Sequence, residues 1–175
     1  MGVLSLISYI AIRLRPGIPV GIVVILSMIS ACTAPEAVRE KLASAFPRDG
    51  KVAALELPAK RPEQVVAAWV VGEPPEPAGY GLRVRGRSRS GSFTALLALD
   101  ADCTIRHAEV ERYLGERGGE IRRESFENQF EDKAPGAALR VGEDIDAVTG
   151  ATISSRAMTD AVRQSIRWLH TYARN

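Results

Sequence analysis

The spacing of apolar residues predicts a set of antiparallel strands in the middle of the chain. Apolar and polar residues alternate over residues 80–89, which is the period of a strand with one buried face. Apolar runs at residues 92–99 and 104–110 flank a short polar turn, a pattern typical of a β-hairpin. Two shorter apolar runs, at residues 52–57 and 65–71, also fit strands, although the second could begin with a helical turn.

Three other segments carry the spacing of helices. In residues 33–46 apolar residues recur every four positions before a proline. Residues 120–130 repeat the pattern and stop before a second proline. The clearest helix covers residues 152–172, and one face of it carries Met158, Ala161, Val162, Ser165 and Leu169. Together these elements predict an α+β fold, in which helices pack against an antiparallel sheet and a C-terminal helix follows a functional loop.

The N-terminal segment indicates export. Residues 18–29 carry no charge, follow two arginines and precede small residues, as in a signal peptide. Twelve helical residues rise only about 18 Å, short of the roughly 30 Å hydrocarbon core of a bilayer. We therefore predict three regions: a signal peptide or membrane anchor at 1–31, an N-terminal helix and linker at 32–60, and one domain at 61–175.

Cys32 ends a segment, Ile-Ser-Ala-Cys, that resembles a bacterial lipobox. The resemblance implies that Cys32 receives a diacylglycerol group and becomes the mature N-terminus. Alternatively, Cys32 is a small apolar residue at the end of an uncleaved anchor helix. Both interpretations place the rest of the chain outside the cytoplasm, on the periplasmic side or the cell surface. Because the exported part is formally neutral, lipid rather than charge would attach it to the membrane.

Composition excludes several classes of function. The 23 basic and 21 acidic residues give a net charge of only +2, so a chain built to bind nucleic acid is not expected. The two cysteines, Cys32 and Cys103, cannot form a CxxC pair or a four-cysteine zinc site, and only His107 and His170 are available as imidazole ligands, so no metal site is predicted. If Cys32 is acylated, Cys103 has no disulfide partner and is expected to be a small buried side chain.

Two surface features leave alternatives open. Residues 73–79 are rich in proline and form either a plain loop or a proline-rich ligand. The alternating strand also carries a row of arginines, at Arg83, Arg85, Arg87 and Arg89. This row could meet an acidic partner or phospholipid, but arginines on the solvated face of an edge strand are the commoner explanation.

Residues 146–155 read DAVTGATISS and lie at the start of the clearest helix. In this segment the small residues Gly150 and Ala151 lie between Thr149 and Thr152. A helix N-terminus exposes unpaired amides and the positive end of the helix dipole, which together favour a phosphate. Alternatively, one of the two threonines simply caps the helix through its side-chain oxygen.

The segment DAVTGATISSRAMTDAV resembles the flavinylation motif of the FMN-binding domain family, a module of the periplasmic subunits of Rnf-type and sodium-pumping NADH:quinone reductase complexes. The family's pattern is Asp, two residues, Ser or Thr, Gly, Ala and then Thr or Ser. The resemblance implies that Thr152 carries FMN through a phosphoester, installed from FAD by a magnesium-dependent flavin transferase. The other implied cofactor-binding positions of the motif are Asp146, Thr149, Gly150 and Ala151.

The resemblance extends over about residues 63–172, as a glycine-marked strand, a hairpin, a glycine loop and a helix. Residues 113–119, YLGERGG, replace a Glu-Thr-Pro-Gly-like turn that many members have. A flavin ring packs on aromatic or apolar groups and approaches glycine closely. The candidates for ring contact are therefore Tyr80, Tyr113, Leu114 and Gly115.

The resemblance implies an extracytoplasmic electron-transfer flavoprotein that is anchored by lipid and exchanges electrons with other redox proteins. Such a protein is a carrier or complex subunit rather than a stand-alone enzyme, because the flavin itself does the redox chemistry. The sequence shows no cluster of histidines or carboxylates that would make the ester, so a separate flavin transferase is expected to modify the chain. Two alternatives stay open: a flavin-carrying regulatory or sensory module, and a cofactor-free structural lipoprotein.

Overall fold

The computed structural model describes residues 29–48, 51–73 and 76–174. Most of the predicted export segment, residues 1–28, therefore lies outside the described residues, as does part of the proline-rich segment. No helix in the described ranges is both long enough and apolar enough to cross a lipid bilayer.

The centre of the molecule is a single antiparallel sheet of six strands among the described residues. The strands lie side by side in chain order, so each one pairs with its neighbours in the sequence. Their bounds are β1 (Ile29–Thr33), β2 (Val52–Leu55), β3 (Val65–Val71), β4 (Gly79–Arg87), β5 (Ser92–Asp100) and β6 (Ile105–Leu114). The strands predicted from apolar runs and from alternation are all present, and β5 and β6 form the expected hairpin.

Two longer helices pack on opposite faces of this sheet. The described residues form three α-helices, α1 (Glu36–Ala45), α2 (Glu124–Glu127) and α3 (Thr152–Arg174), of which α1 and α3 are the two longer ones. Helix α1 packs on one face through Val38 and Leu42, against Trp69 and Leu96. Helix α3 lies on the other face, where its buried residues join the larger core. The predicted α+β class is thus confirmed, because helices pack against an antiparallel sheet.

The predicted helix at residues 120–130 is a chain of short turns rather than one helix. A 3₁₀ turn, Gly119–Arg122, is separated from α2 by Arg123, whose extended backbone (ψ 131°) interrupts the hydrogen-bond ladder. A second 3₁₀ turn, Asn128–Phe130, follows directly. The apolar residues predicted to face the core do so, since Ile121, Phe126 and Phe130 are all buried.

This segment of short turns covers the exposed edge of β6. The buried Glu127 carboxylate accepts a hydrogen bond from the Val110 backbone N–H at 2.7 Å. Burial raises the pKa of Glu127, while this hydrogen bond opposes the rise. Further along the edge, the Ile105 N–H donates to the Lys133 carbonyl at 3.1 Å. Pairing these edge groups fixes the segment against the sheet and so positions residues that hold the functional loop.

The proposed edge location of the arginine-bearing strand is wrong. Strand β4 pairs with β3 on one side and β5 on the other, so it lies in the interior of the sheet. Arg85 and Arg87 are exposed as expected, whereas Arg83 is half-buried. The alternation determined which side chains face solvent, but it carried no information on the order of the strands.

Candidate functional site

We call the part of the motif that precedes the last helix, residues 146–151, the functional loop. It ends at an N-cap formed by Ala151. The Ala151 carbonyl accepts a hydrogen bond from the Ser155 N–H at 2.8 Å, so Thr152 is the first residue within α3. The N–H groups of the first helical turn have no carbonyl partner within the helix. Among the described residues, the hydroxyls of Thr149 and Thr152 make no hydrogen bond. Neither threonine therefore caps the helix through its side chain, and this alternative is wrong.

Ser155 holds the loop against the first turn of α3. Its hydroxyl donates to the Ala151 carbonyl at 3.0 Å and accepts from the Val148 N–H at 3.2 Å. Sequence reasoning gave Ser155 no role, because a serine within a helix ordinarily only bonds back to the preceding turn. Its second bond, to a residue before the helix, appears only in the folded chain.

The start of the motif is held by the side chain of Gln129. The Gln129 amide oxygen accepts from the Asp146 N–H at 2.6 Å, and its amide nitrogen donates to the Asp146 carbonyl at 3.3 Å. The Asp146 side chain itself is exposed. Gln129 was also missed by sequence reasoning, since its only signal is a position near the end of a short helical segment.

Gly150 allows the loop to turn tightly before the helix. Its φ of +84° lies in the left-handed region, where a residue with a Cβ is strained. The Glu120 Oε1 atom lies 4.0 Å from the position that a Cβ at Gly150 would take. Gly150 therefore provides the turn, and its open side leaves the N-terminus of α3 accessible.

Ser154 joins four segments of the chain beneath this loop. It is fully buried, and its hydroxyl lies 3.0 Å from the Tyr113 hydroxyl and 3.3 Å from the Ser88 hydroxyl. The Tyr113 hydroxyl also donates to the Arg117 carbonyl. Gly118 completes this junction with a φ of +91°, and a Cβ there would lie 2.3 Å from the Ser154 hydroxyl oxygen. Tyr113, predicted as a ring contact, thus has a structural hydrogen-bonding role.

Two connected depressions lie beside the helix N-terminus. A cleft of about 960 Å³ runs between the end of β4, the β4–β5 turn and α3, and is bordered by Leu114. A shallower hollow of about 590 Å³ is lined by Arg87, Ser88, Arg89, Ile153 and Ala157. Leu114 and Ile153 are the exposed large apolar side chains of the described residues, at 53% and 49%. The surface here therefore combines apolar packing positions with exposed arginines.

The structure brings together most of the predicted site residues. Thr149, Gly150 and Thr152 are exposed, and Ala151 is buried. Leu114 and Gly115 are exposed on the neighbouring end of β6, which the Tyr113–Ser154 hydrogen bond joins to α3. The Ser154 junction thus brings the end of β6 next to the turn in which the motif predicts the attachment position.

Tyr80 is not part of this surface. Only 3% of it is exposed, and it lies in the core beside Leu99, its partner across the β4–β5 pair. Tyr80 interacts electrostatically with Cys103, and Cys103 with Arg174. Arg174 ends α3, so Tyr80 lies towards the opposite end of this helix from Thr152. The alternation placed Tyr80 on the correct face of the strand, but that face at this position is covered by the core.

The buried Tyr80 and Cys103 make stability fall at alkaline pH. Burial raises the pKa of Tyr80 from 10.0 to about 12 and that of Cys103 from 9.0 to about 12. Both groups ionise at lower pH in the unfolded chain than in the folded one. Their contribution to the free energy of unfolding is therefore fully present below pH 9 and is lost as the pH rises to 12. Each contributes a slope of about 1.4 kcal/mol per pH unit within its own interval.

Urea unfolding at several values of pH measures this slope. The variants Tyr80→Phe and Cys103→Ala should each remove one contribution. A free energy of unfolding that stays constant from pH 9 to 11 in the unmodified chain would contradict the assignment.

Comparisons with known proteins bear on the same region. Residues 89–167 match the sequence model of the FMN-binding domain. This range includes the β4–β5 turn, the β5–β6 hairpin, the functional loop and most of α3. A comparison with the curated proteins found no match for this sequence.

Two solved structures are similar to this chain. One is NqrC of Shewanella oneidensis, with 15% identity and a TM-score of 0.49, covering 61% of this chain and 58% of that one. The other is a subunit of the Na⁺-translocating NADH-quinone reductase of Parabacteroides distasonis, with 23% identity and a TM-score of 0.47. That match covers 62% of this chain and 63% of the other. The chain thus spans about three fifths of the length of these proteins.

The matched range contains Thr152, Leu114 and all of the Ser154 junction except Ser88. An unbonded hydroxyl, free helix amides and apolar packing positions are the features that a phosphate-bearing flavin requires. The residues present therefore fit FMN. Residues 89–167 of this chain match the model of the FMN-binding domain, and the site built here lies largely within that match.

Proposed function

We propose that this protein is an extracytoplasmic electron-transfer flavoprotein, in which FMN is bonded through a phosphoester to Thr152. The observation that supports this most directly is the state of the Thr152 side chain. It is exposed and makes no hydrogen bond, while the residues on either side are held by Gln129 and Ser155. A reactive hydroxyl is thereby presented to an external catalyst at a fixed position.

The start of α3 provides a phosphate site at the same position. The N–H groups of Thr152, Ile153 and Ser154 precede the first possible helix partners and point outward from the N-terminus. The 23-residue helix adds the positive end of its dipole. If FMN is attached to Thr152, these groups would hold the remaining monoanionic phosphodiester.

Attachment forms one bond and breaks one bond. The Thr152 oxygen attacks the FMN phosphorus of FAD, the bond to AMP breaks, AMP leaves, and the hydroxyl proton passes to a base. The two histidines are elsewhere, since His107 lies beside Glu131 and His170 beside Arg174. The base and the divalent metal are therefore supplied by a flavin transferase.

Bound FMN supplies the redox chemistry. In our proposal the chain's own residues provide the tether and the packing surface. Ile153, Leu114 and Gly115 lie beside the attachment position and offer apolar and open contact to the ring. The covalent bond keeps the flavin from diffusing away in a compartment that has no pool of free FMN, and maintains it near its partners.

Co-expression with a flavin transferase tests this function. The purified chain should carry the mass of one FMN less one water, and the denatured, desalted protein should retain the flavin absorbance. Chain expressed without the transferase should lack both signals. A colourless chain with unmodified mass after co-expression would contradict the proposal and favour a cofactor-free lipoprotein.

We also propose that Cys32 is lipidated and holds the domain at the outer side of the membrane. Cleavage before Cys32 would remove three of the five residues of β1, Ile29 to Ala31, and leave β2 as the edge of the sheet. The domain division at residues 60 and 61 likewise stays a prediction, although β2, from the first part, pairs with β3.

Substitution of Cys32 by serine should abolish lipid attachment, because an alcohol does not replace the thiol in the alkylation. The measurement is mass spectrometry of the N-terminal peptide after expression in a bacterium that processes lipoproteins. Cys103→Ser is the matched control and should keep the lipid, since Cys103 is buried in the core. An unmodified chain that retains residues 1–31 would instead support an uncleaved anchor.

A further inference from the structure

A row of exposed arginines crosses the sheet at the end that bears the flavin site. Arg85 and Arg112 both lie directly opposite Thr94, from the two sides of β5, and therefore share one face. Arg87 and Leu114 share the same face one row further out, on either side of Ser92. All three arginines are exposed, as is Arg89 in the following turn. We call Arg85, Arg87, Arg89 and Arg112 the arginine face.

The same face is neutralised only where α1 covers it. There Arg83 makes two hydrogen bonds to the Glu111 carboxylate, at 2.7 and 2.9 Å, and lies over the Trp69 ring. Lys41 of α1 pairs with Glu109 at 2.7 Å. Within the part of the chain that the structure describes, the four residues of the arginine face make no ion pair.

The charges of the arginine face repel one another. Arg85 and Arg112 lie two strands apart, or about 10 Å at the usual strand spacing. Positive charges at this distance repel one another at low salt, because the Debye length is about 10 Å at 0.1 M. A concentration of unpaired charge that adds nothing to stability is expected where a charged partner binds.

Two residues of the arginine face, Arg87 and Arg89, lie beside the first turns of α3. Arg87 and Arg89 line the hollow that also contains Ile153, the residue after Thr152. Leu114, 53% exposed, lies in the same row as Arg87. Leu114 is thus an exposed apolar side chain with arginines around it. Transient protein interfaces have this composition, because arginine is enriched in them.

We propose that the arginine face is the docking surface for an acidic redox protein that exchanges electrons with the flavin, an inference that rests on the proposed function. Guanidinium groups bind carboxylates in a bidentate manner, and complementary charge accelerates the encounter. In each encounter one electron passes between the partner's redox centre and the flavin. No covalent bond forms or breaks, and any proton that the flavin takes up comes from water. An acidic protein fits better than a lipid surface, because a partner must reach the flavin at an apolar contact between the charges.

The charge-reversed variant Arg85→Glu with Arg112→Glu tests this proposal. The probe is a reduced acidic ferredoxin, mixed with flavinylated full-length protein in a stopped-flow instrument at low ionic strength. The second-order rate constant should fall at least about tenfold, as expected when electrostatic steering is lost. The rate with the unmodified protein should also decrease with added salt, whereas the rate with the variant should not.

A control with the same charge change lies at the opposite end of the sheet. Phe46, the residue after α1, packs against Gly79 at the start of β4, and Arg48 is two residues further along the chain. The Lys133 carbonyl accepts a hydrogen bond from the Ile105 N–H at the start of β6. The variant Arg48→Glu with Lys133→Glu should react with ferredoxin at a rate within about twofold of the unmodified protein. Flavin content and reduction by dithionite should be unchanged in both double variants.

These measurements separate the two proposals. Absence of covalent flavin in the unmodified protein would overturn the function itself. Normal flavin with equal ferredoxin rates in all three proteins would overturn the docking surface alone. Loss of binding to phosphatidylglycerol vesicles on reversal of Arg85 and Arg112, without any change in the ferredoxin rate, would assign the arginine face to the membrane and also overturn the proposal.

Discussion

Replacing Thr152 by valine is expected to abolish covalent flavin completely. Valine has the same branched shape but lacks the oxygen that attacks phosphorus, and no neighbouring hydroxyl occupies its position. The fold should persist, because Thr152 is exposed and makes no hydrogen bond that the substitution would remove. The change in the free energy of unfolding should stay within about 0.5 kcal/mol, as for other surface substitutions. Intact mass after co-expression with the transferase measures the loss.

Thr152→Ser is the matched control for this variant. Serine restores the hydroxyl at the same backbone position, and the family motif accepts either residue, so covalent flavin should return. Retention of the FMN mass in Thr152→Val would place the bond on another residue, and peptide mapping would identify it. Loss of flavin in both variants would show that the methyl group, rather than the hydroxyl, is recognised.

The second large effect is expected at Gly118, the glycine of the Ser154 junction. Alanine at its φ of +91° is strained, and its Cβ would lie 2.3 Å from the Ser154 oxygen and 2.6 Å from the Tyr113 oxygen. The backbone strain and the overlap together should cost about 2 to 4 kcal/mol. In a chain of this size the melting temperature should fall by roughly 5 to 15 °C. Thermal unfolding followed by circular dichroism measures the shift.

Gly119 provides the adjacent control. A Cβ there would meet the Tyr113 ring at 3.4 Å, an ordinary contact, so Gly119→Ala should change stability by less than about 0.5 kcal/mol. Gly118→Ala should also lower flavin incorporation, because the first turn of α3 would have to move. Equal stability of the two variants would show that the junction adapts without strain.

The main features of the fold follow from local patterns. Alternation in β4 and the polar turn at Asp100 predicted strands, since a period of two and a reversal leave clear signals. At this turn the Asp100 carboxylate accepts from the N–H groups of Asp102 and Thr104, a local arrangement that the residue types favour. The start of α3 and its apolar face were also predicted from residues 152–172 alone.

The site itself was only partly predictable. The motif predicts Thr152 as the attachment residue, but the hydrogen bonds of Gln129, Ser154 and Ser155 depend on contacts between distant segments. Tyr80 was a candidate for contact with the flavin ring and is instead buried in the core, because the pattern shows which face a side chain is on and not what covers that face. In the same way, the order of strands that places β4 inside the sheet is a property of the whole chain.

The fixation of the loop on both sides of Thr152 determines how a flavin there could move. Gln129 holds the motif at its beginning, Ser155 holds it at its end, and a 23-residue helix follows. If FMN is bonded to Thr152, these hydrogen bonds would hold the backbone at the attachment position, and the isoalloxazine ring would move by rotation about the ribityl and phosphate bonds. The length of the ribityl phosphate would limit how far the ring can move from Thr152. A redox partner would therefore have to bind close to this domain.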